Sequence, residues 1–362
     1  MDAVLTAMVE DKIGPGERSR LLIQTAKEQL GFDYALALRS PAVALHLALK
    51  TITKPGQAVV ISALSPRYYL QVLLDLQLTP LFCDVSRDFP CMSAELIENT
   101  IAKKPEDIET GAVVLHHTLG YVPDTASIAS LGIPVIEDIS QSYGFWFKPE
   151  NKNSDEPSAD EKLPEKKKKS SDSEISNPQP PLHGIFGIVG LEERDMLTSG
   201  GGAILFAMNR KDGSALRNFT GIAGEFCLPD INAALAVVQF KEVFRNIERR
   251  RNIAGVYAQA CRSVDSRAKH KRFITANDNE YCCYSFSLVL ETGLKEVIAY
   301  ARKKEIEIEN AFENTITSAG FDPGSICPVS SSLALRTVIF PMYPRLRSQE
   351  VERITRLIMT LP

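Results

Sequence analysis

The chain has 362 residues, 24% of them charged and 44% hydrophobic, with a formal net charge of −4. This is an ordinary globular composition, long enough for more than one core. It excludes the strong basic excess of a nucleic-acid or anionic-membrane binder. The opening Met1–Leu5 has no basic, apolar leader, and no apolar run approaches the roughly 20 residues of a membrane span. The seven cysteines (Cys83, Cys91, Cys227, Cys261, Cys282, Cys283 and Cys327) are scattered, without a C-x-x-C pair. They read as reduced thiols of a cytoplasmic protein. The five histidines form no ligand cluster, so no metal site is expected. His116 and His117 are adjacent on a strand and should point to opposite faces.

In chain order, residues 17–30 have helical apolar spacing (Leu21, Leu22, Ile23, Ala26, Leu30), with Gly31 as the stop. Tyr34–Leu38 reads as a strand and Pro41–Leu49 as a helix whose N-terminus opens just after it, a turn that often receives an anion. Lys54-Pro55-Gly56 is a turn. Strands over Ala58–Ala63, Leu78–Val85, Gly111–His117 and Pro134–Asp138 then alternate with helices over Tyr68–Leu76, Ser93–Ala102 and Thr125–Leu131. Regular alternation of this kind predicts a parallel sheet covered on both faces. Residues 149–182 break the pattern. They carry Lys166–Lys169, many acids and serines, and Pro178-Gln179-Pro180-Pro181, with almost nothing apolar, and read as a disordered, solvated insertion.

His183–Val189 resumes as a strand, and Ser199-Gly200-Gly201-Gly202 is a turn feeding another over Ala203–Phe206. Asp230–Tyr257 reads as one long helix bridging two domains, on Ile231, Ala234, Leu235, Val238, Phe244 and Ile247. Its Arg249-Arg250-Arg251 triplet reads as a solvated face. Beyond it come strands at Tyr284–Leu290, Ile306–Ile308 and Val338–Phe340, with helices at Leu294–Lys304 and Ser348–Leu357. The division expected is a large α/β domain over 1–245 and a small α+β domain over 246–362.

The candidate site lies in Val135–Gly144. A short apolar run delivers Asp138 and Gln141 to the carboxyl edge of the sheet, where open α/β folds bind ligands. The aspartate there is suited either to holding a protonated ring nitrogen or to capping the turn that follows.

Taken in order, these segments resemble the DegT/DnrJ-type (StrS-like) sugar aminotransferases, pyridoxal-phosphate (PLP) enzymes of the aspartate-aminotransferase fold. The likeness rests on Lys54–Val59, Thr79–Val85, His117-Thr118-Leu119-Gly120 with Pro123-Asp124, and Val135–Asp138 with Gln141 and Gly144. Asp230–Ala234 with Gln239, Cys327-Pro328 and Phe340–Pro344 complete it. The resemblance implies a mostly parallel central sheet sandwiched by helices, a dimer, and two cofactor-binding residues. Asp138 would pair with the pyridine nitrogen, keeping the ring an electron sink, and Gln141 would lie near its phenolic oxygen.

The same resemblance places Arg194 where the family carries its Schiff-base lysine, and no lysine occurs from Ser170 to Arg210. A permanently charged guanidinium cannot form the imine. Other positions depart too. Ser40-Pro41-Ala42 stands for the family's Ser-Gly-Thr, Val189 for a serine, Glu225 for an asparagine and Cys227 for an arginine. The stacking aromatic falls near Pro66, with Tyr68 or Tyr69 as substitutes. A dehydratase branch of the family has histidine for the lysine but still needs a base and a phosphate site. One reading is therefore a pseudoenzyme, binding no PLP covalently and acting as a homodimer or as partner of an active paralogue. The alternatives are an active sugar aminotransferase or dehydratase, with Lys148 or an insertion lysine as base, and a cofactor-free nucleotide-sugar binder. Asp138 is expected to cap its turn or to pair with Arg194.

Overall fold

The computed structural model describes residues 2–11, 13–147, 180–217, 219, 222–264, 270–274, 281–291, 293–319 and 324–362. The expected disorder of the insertion and the base candidate Lys148 lie outside the described residues, apart from the insertion's last three. Of those, Pro180 is buried and Leu182 packs against the core.

The chain begins with helices α1 (Asp2–Val9) and α2 (Glu17–Leu30), and then alternates. Strand β1 (Tyr34–Leu38) leads to α3 (Pro41–Ile52), β2 (Ala58–Ser62) to α4 (Tyr68–Asp75), and β3 (Thr79–Cys83) to α5 (Ala94–Ala102). Strand β4 (Thr110–His116), α6 (Thr125–Ala129), β5 (Val135–Asp138), β6 (Phe186–Gly190), β7 (Ala203–Ala207) and α7 (Arg210–Arg217) complete this half. Helix α8 (Asp230–Val264) leads into β8 (Phe286–Val289), α9 (Leu294–Lys303), β9 (Glu309–Asn310), α10 (Pro328–Ala334), β10 (Thr337–Phe340) and α11 (Ser348–Met359).

Among the described residues there are two sheets, one of seven strands in the order β1-β7-β6-β5-β4-β2-β3 and one of three, β8-β10-β9. The large sheet is parallel except for β7, which runs antiparallel to both β6 and β1. The sheet is mostly parallel, as expected, and β7 is the exception for a topological reason. The Ser199–Gly202 turn returns the chain without a crossover helix, and only an antiparallel neighbour can be reached that way. Strands β2, β5, β6 and β7 are buried on both faces, which explains their unbroken apolar runs.

The third strand of the small sheet falls at Glu309–Asn310, not at the expected Ile306–Ile308. Ile306 and Ile308 do bury their side chains in the second core, but the backbone ladder to β10 begins only at Glu309. Helices α1, α7 and α10 were not expected from apolar spacing. Helix α10 is anchored from outside: Asp84, just past β3, accepts the N–H groups of Val329 (3.0 Å) and Ser330 (2.7 Å) and the Ser330 hydroxyl (2.6 Å).

The long helix serves both cores. Ala233, Ala236, Val237, Phe240, Val243 and Ile247 pack under the large sheet, and Ile253, Ala254, Tyr257 and Ala258 pack with β8, β10 and α11. Val238 and Phe244, expected on the apolar face, are instead exposed by 36% and 41%. The arginine triplet is a clear correction. Arg249 is exposed, but Arg250 donates to the carbonyls of Tyr284 and Met342, both at 2.7 Å, and Arg251 donates to the carbonyl of Phe147. Loop carbonyls without a ladder partner need donors, and a guanidinium on a neighbouring helix supplies several at once.

Asp230 ties the helix start back to the N-terminal region. Its carboxylate accepts the N–H groups of Gly16 (2.9 Å), Arg18 (3.0 Å) and Ser19 (2.8 Å) and the Ser19 hydroxyl (2.8 Å), capping α2 from another element. Asp230→Ala leaves the three N–H groups without that acceptor, while the Ser19 hydroxyl keeps the Leu228 carbonyl at 2.7 Å, and should lower stability by about 2 kcal/mol. Denaturant unfolding of the wild type, Asp230→Ala and Asp230→Asn checks this, with the asparagine variant expected between the other two.

Candidate active site

Strands β4, β5 and β6 end side by side, and β5 delivers Asp138 to that edge. The cleft above it is a cavity of about 390 Å³, walled by α4, by the loop after β6 and by the Asn310–Thr315 segment beside the small sheet. Asp138, Gln141 and Arg194 all line it, so the structure brings together the three site residues named from sequence.

Asp138 is 1% exposed. Its Oδ1 accepts the N–H of Ser140 at 3.0 Å and also the Ser140 hydroxyl, so the turn-capping reading holds. Its Oδ2 accepts the hydroxyls of Tyr69 at 2.6 Å and Tyr68 at 3.3 Å. The Ser140 hydroxyl in turn accepts the Gly190 N–H at 2.7 Å, linking the ends of β5 and β6. Burial, followed by the charge of Asp138, pushes both phenols well above their ordinary range, which keeps them as donors.

The alternative pairing of Asp138 with Arg194 does not form. Arg194 Nη1 reaches Glu309 Oε2 at 2.7 Å, bridging the loop after β6 to β9. The physical reason lies in solvation. Both members of that pair are about half exposed, with side-chain values of 52% and 46%, whereas the neighbourhood of Asp138 is buried and already furnished with donors. Gln141 turns its carbonyl oxygen to the Leu119 N–H at 2.7 Å, closing the β4 and β5 loops on each other.

Two features escaped the sequence reading. Asp195 stands beside Arg194 in the cleft wall, and its Oδ2 accepts the Glu192 N–H at 2.8 Å. A Cβ at Gly190 would lie 2.2 Å from that oxygen, so only glycine admits the carboxyl there. Behind the cleft, Glu137 is fully buried. Its Oε1 accepts the N–H groups of His183 (2.7 Å) and Gly184 (2.6 Å), and its Oε2 lies 3.5 Å from His117 Nε2. His117 Nδ1 meets the Ser142 hydroxyl at 2.7 Å. His116 points the other way and lines the cleft, where burial lowers its pKa to about 4. The two neighbouring histidines thus take opposite faces.

These residues do not fit the cofactor that the resemblance implies. Among the described residues lining the cleft there is no lysine to supply an amine. At the start of α3, Pro41 has no N–H and Ala42 no hydroxyl, while the Ser40 hydroxyl caps the helix through the Val43 N–H at 3.3 Å. Val189 is buried in the core, and neither Glu225 nor Cys227 lines the cavity. Asp138, which the resemblance would set on the ring nitrogen, already holds its own donors.

Burial pushes the Asp195 carboxyl up to about 8, against the Glu192 N–H and with the charge of Asp138 adding to the rise. The folded chain therefore keeps a proton that the unfolded chain releases near pH 4. This group works against stability progressively as pH rises from about 4 to 8. Asp195→Asn should remove that slope. Thermal unfolding is expected to show the variant gaining on the wild type as pH rises from 5 to 8; a gap that does not change with pH would contradict the assignment.

Comparison with known proteins follows the same geometry. The model of the DegT/DnrJ/EryC1/StrS aminotransferase family matches residues 1–152 and 205–359. The stretch left out, 153–204, contains Arg194 and all but the first four residues of the charged insertion. An L-glutamine:2-deoxy-scyllo-inosose aminotransferase of Streptomyces fradiae is 28% identical over 140 residues, 37% of this chain and 32% of that protein's length. An aminotransferase of this family from Brucella abortus superposes with a TM-score of 0.79 at 20% identity, covering 99% of this chain and 93% of the other. An aminotransferase from Psychrobacter cryohalolentis gives a TM-score of 0.79 at 15% identity over 99% and 94%. NtdA from Bacillus subtilis, solved with bound PMP, gives 0.78 at 14% over 99% and 80%. The fold is that of the PLP-dependent aminotransferases, and the chain belongs to the DegT/DnrJ/EryC1/StrS aminotransferase family.

Proposed function

We propose that this chain keeps the aminotransferase fold without PLP-dependent transamination, as a pseudoenzyme with a structural or regulatory role. The observation that carries the reading is Arg194. It occupies the lysine position of the resemblance, is held by Glu309, and has no lysine beside it among the described residues of the cleft. The reading takes residues 1–245 as the cleft-bearing domain and 246–362 as the smaller one, with the division inside α8. It takes the protein as cytoplasmic, acting as a homodimer or paired with an active paralogue. No helix among the described residues is long and apolar enough to cross a membrane.

A second reading is cofactor-free binding of a nucleotide sugar. It is supported by a cavity of about 390 Å³ in which Arg67 and Arg194 could meet phosphate and Asn310, Asn314 and Thr315 could meet hydroxyls. An active aminotransferase or dehydratase is the outcome that would overturn both.

The test is to add PLP to the purified chain, look for aldimine absorbance, and reduce with borohydride. No stable adduct is expected on any lysine, Lys148 and the insertion lysines included. An adduct that survives reduction would overturn the pseudoenzyme reading. A thermal shift with nucleotide sugars but not with PLP would favour the binder.

A further inference from the structure

We propose that Tyr68 and Tyr69 have taken over the carboxylate of Asp138, so that the ring anchor is filled from within the chain and restoring a lysine at position 194 does not by itself restore cofactor uptake. The inference rests on the pseudoenzyme reading and names a second, independent barrier in the same cleft.

The argument is one of acceptor sites. A carboxylate offers about four lone-pair directions. On Asp138 the N–H and the hydroxyl of Ser140 take Oδ1, while the hydroxyls of Tyr69 and Tyr68 take Oδ2. The set is complete without any ligand, and a pyridinium N–H would arrive as a fifth donor. To be accepted it must displace one of the four.

Each occupant is held in place. Ser140 is fixed by the Gly190 N–H on its hydroxyl and by its own carbonyl, which accepts the Met196 N–H at 3.0 Å. Tyr69 is fully buried, edge-on to both Tyr68 (centroids 5.0 Å apart, 67°) and His116 (6.2 Å, 80°). Tyr68 makes the longer bond, at 3.3 Å, and of the two it is the one that lines the cavity. Asp138 lines the same cavity, so the Tyr68 hydroxyl is the most weakly held donor that a ring approaching the carboxylate from the cleft would displace. A displaced Tyr68 hydroxyl would be left beside a buried carboxylate whose seat it had lost.

The experiment uses the full-length chain with PLP as the probe, in the wild type, Arg194→Lys, Arg194→Lys/Tyr68→Ala and Arg194→Lys/Tyr68→Phe. Borohydride-reduced adduct at position 194 is measured by peptide mass spectrometry. Little adduct is expected in Arg194→Lys. At least about tenfold more is expected in Arg194→Lys/Tyr68→Ala, the factor one net hydrogen bond is worth, with the Phe variant between. Adduct in Arg194→Lys equal to that in the double variant would overturn the proposal, and so would no adduct in any variant. Adduct on any lysine of the wild type, mapped in the same digest, would instead sink the pseudoenzyme reading, which separates the two failures. A double-mutant cycle of Tyr69→Phe and Asp138→Asn by denaturant unfolding is the second arm. Non-additive losses are expected, and strict additivity would show that the phenol does not hold the carboxylate.

Discussion

A buried carboxylate has to be answered, and at the floor of this cleft that carboxylate is Asp138. Strand β5 carries it to the centre of the sheet edge at 1% exposure, where water cannot solvate it. Its described partners are hydroxyls and an N–H rather than a cation. The bonds to Ser140 and on to Gly190 tie β5 to β6, and those to the two tyrosines tie β5 to the start of α4. The floor of the cleft is therefore assembled around one carboxylate. Burial, with that same charge adding to the rise, pushes the nearby Asp195 carboxyl up to about 8.

Much of this was legible from sequence because strand and helix periodicity are local. The apolar runs of β2, β4 and β5 and the spacing of α2 gave the layers, and the position of Asp138 at a strand end gave the site. What could not be read depends on contacts between distant parts of the chain. Tyr68 and Tyr69 appear in the sequence as two aromatics opening a helix; only folding sets their hydroxyls on a carboxylate about 70 residues away. The partner of Arg194 is 115 residues distant, in a two-residue strand that periodicity misplaced. The direction of β7 followed from a turn rather than from its own residues.

The arginines after residue 248 show why charge runs mislead. A triplet on a helix reads as solvated because most are, yet Arg250 and Arg251 serve carbonyls that have no strand partner. One of those carbonyls belongs to Phe147, the last described residue before the charged insertion. On the far side of the insertion, the Glu137 carboxylate holds the N–H groups of His183 and Gly184. The two chain ends flanking the insertion are thus fastened by opposite chemistry, a cation on a carbonyl and an anion on amides. The entropy of a long connecting segment grows only slowly with its length. Fixed ends are enough for the sheet to tolerate it.

On the pseudoenzyme reading proposed above, the arrangement bears on how a cofactor fold would persist without its cofactor. A bound ligand stabilises a fold by mass action and also satisfies the polar groups it touches. Removing it leaves those groups buried and unpaired, which is more damaging than the loss of the ligand's own contacts. A chain that loses its imine-forming lysine can fold only if the remaining anchors find other partners. Here each has one: Asp138 has its tyrosines and Ser140, Gln141 has the Leu119 N–H, and Arg194 has Glu309. None of those contacts requires a ligand. Through them Asp138 and Gln141 join the ends of β4, β5 and β6 from within the chain.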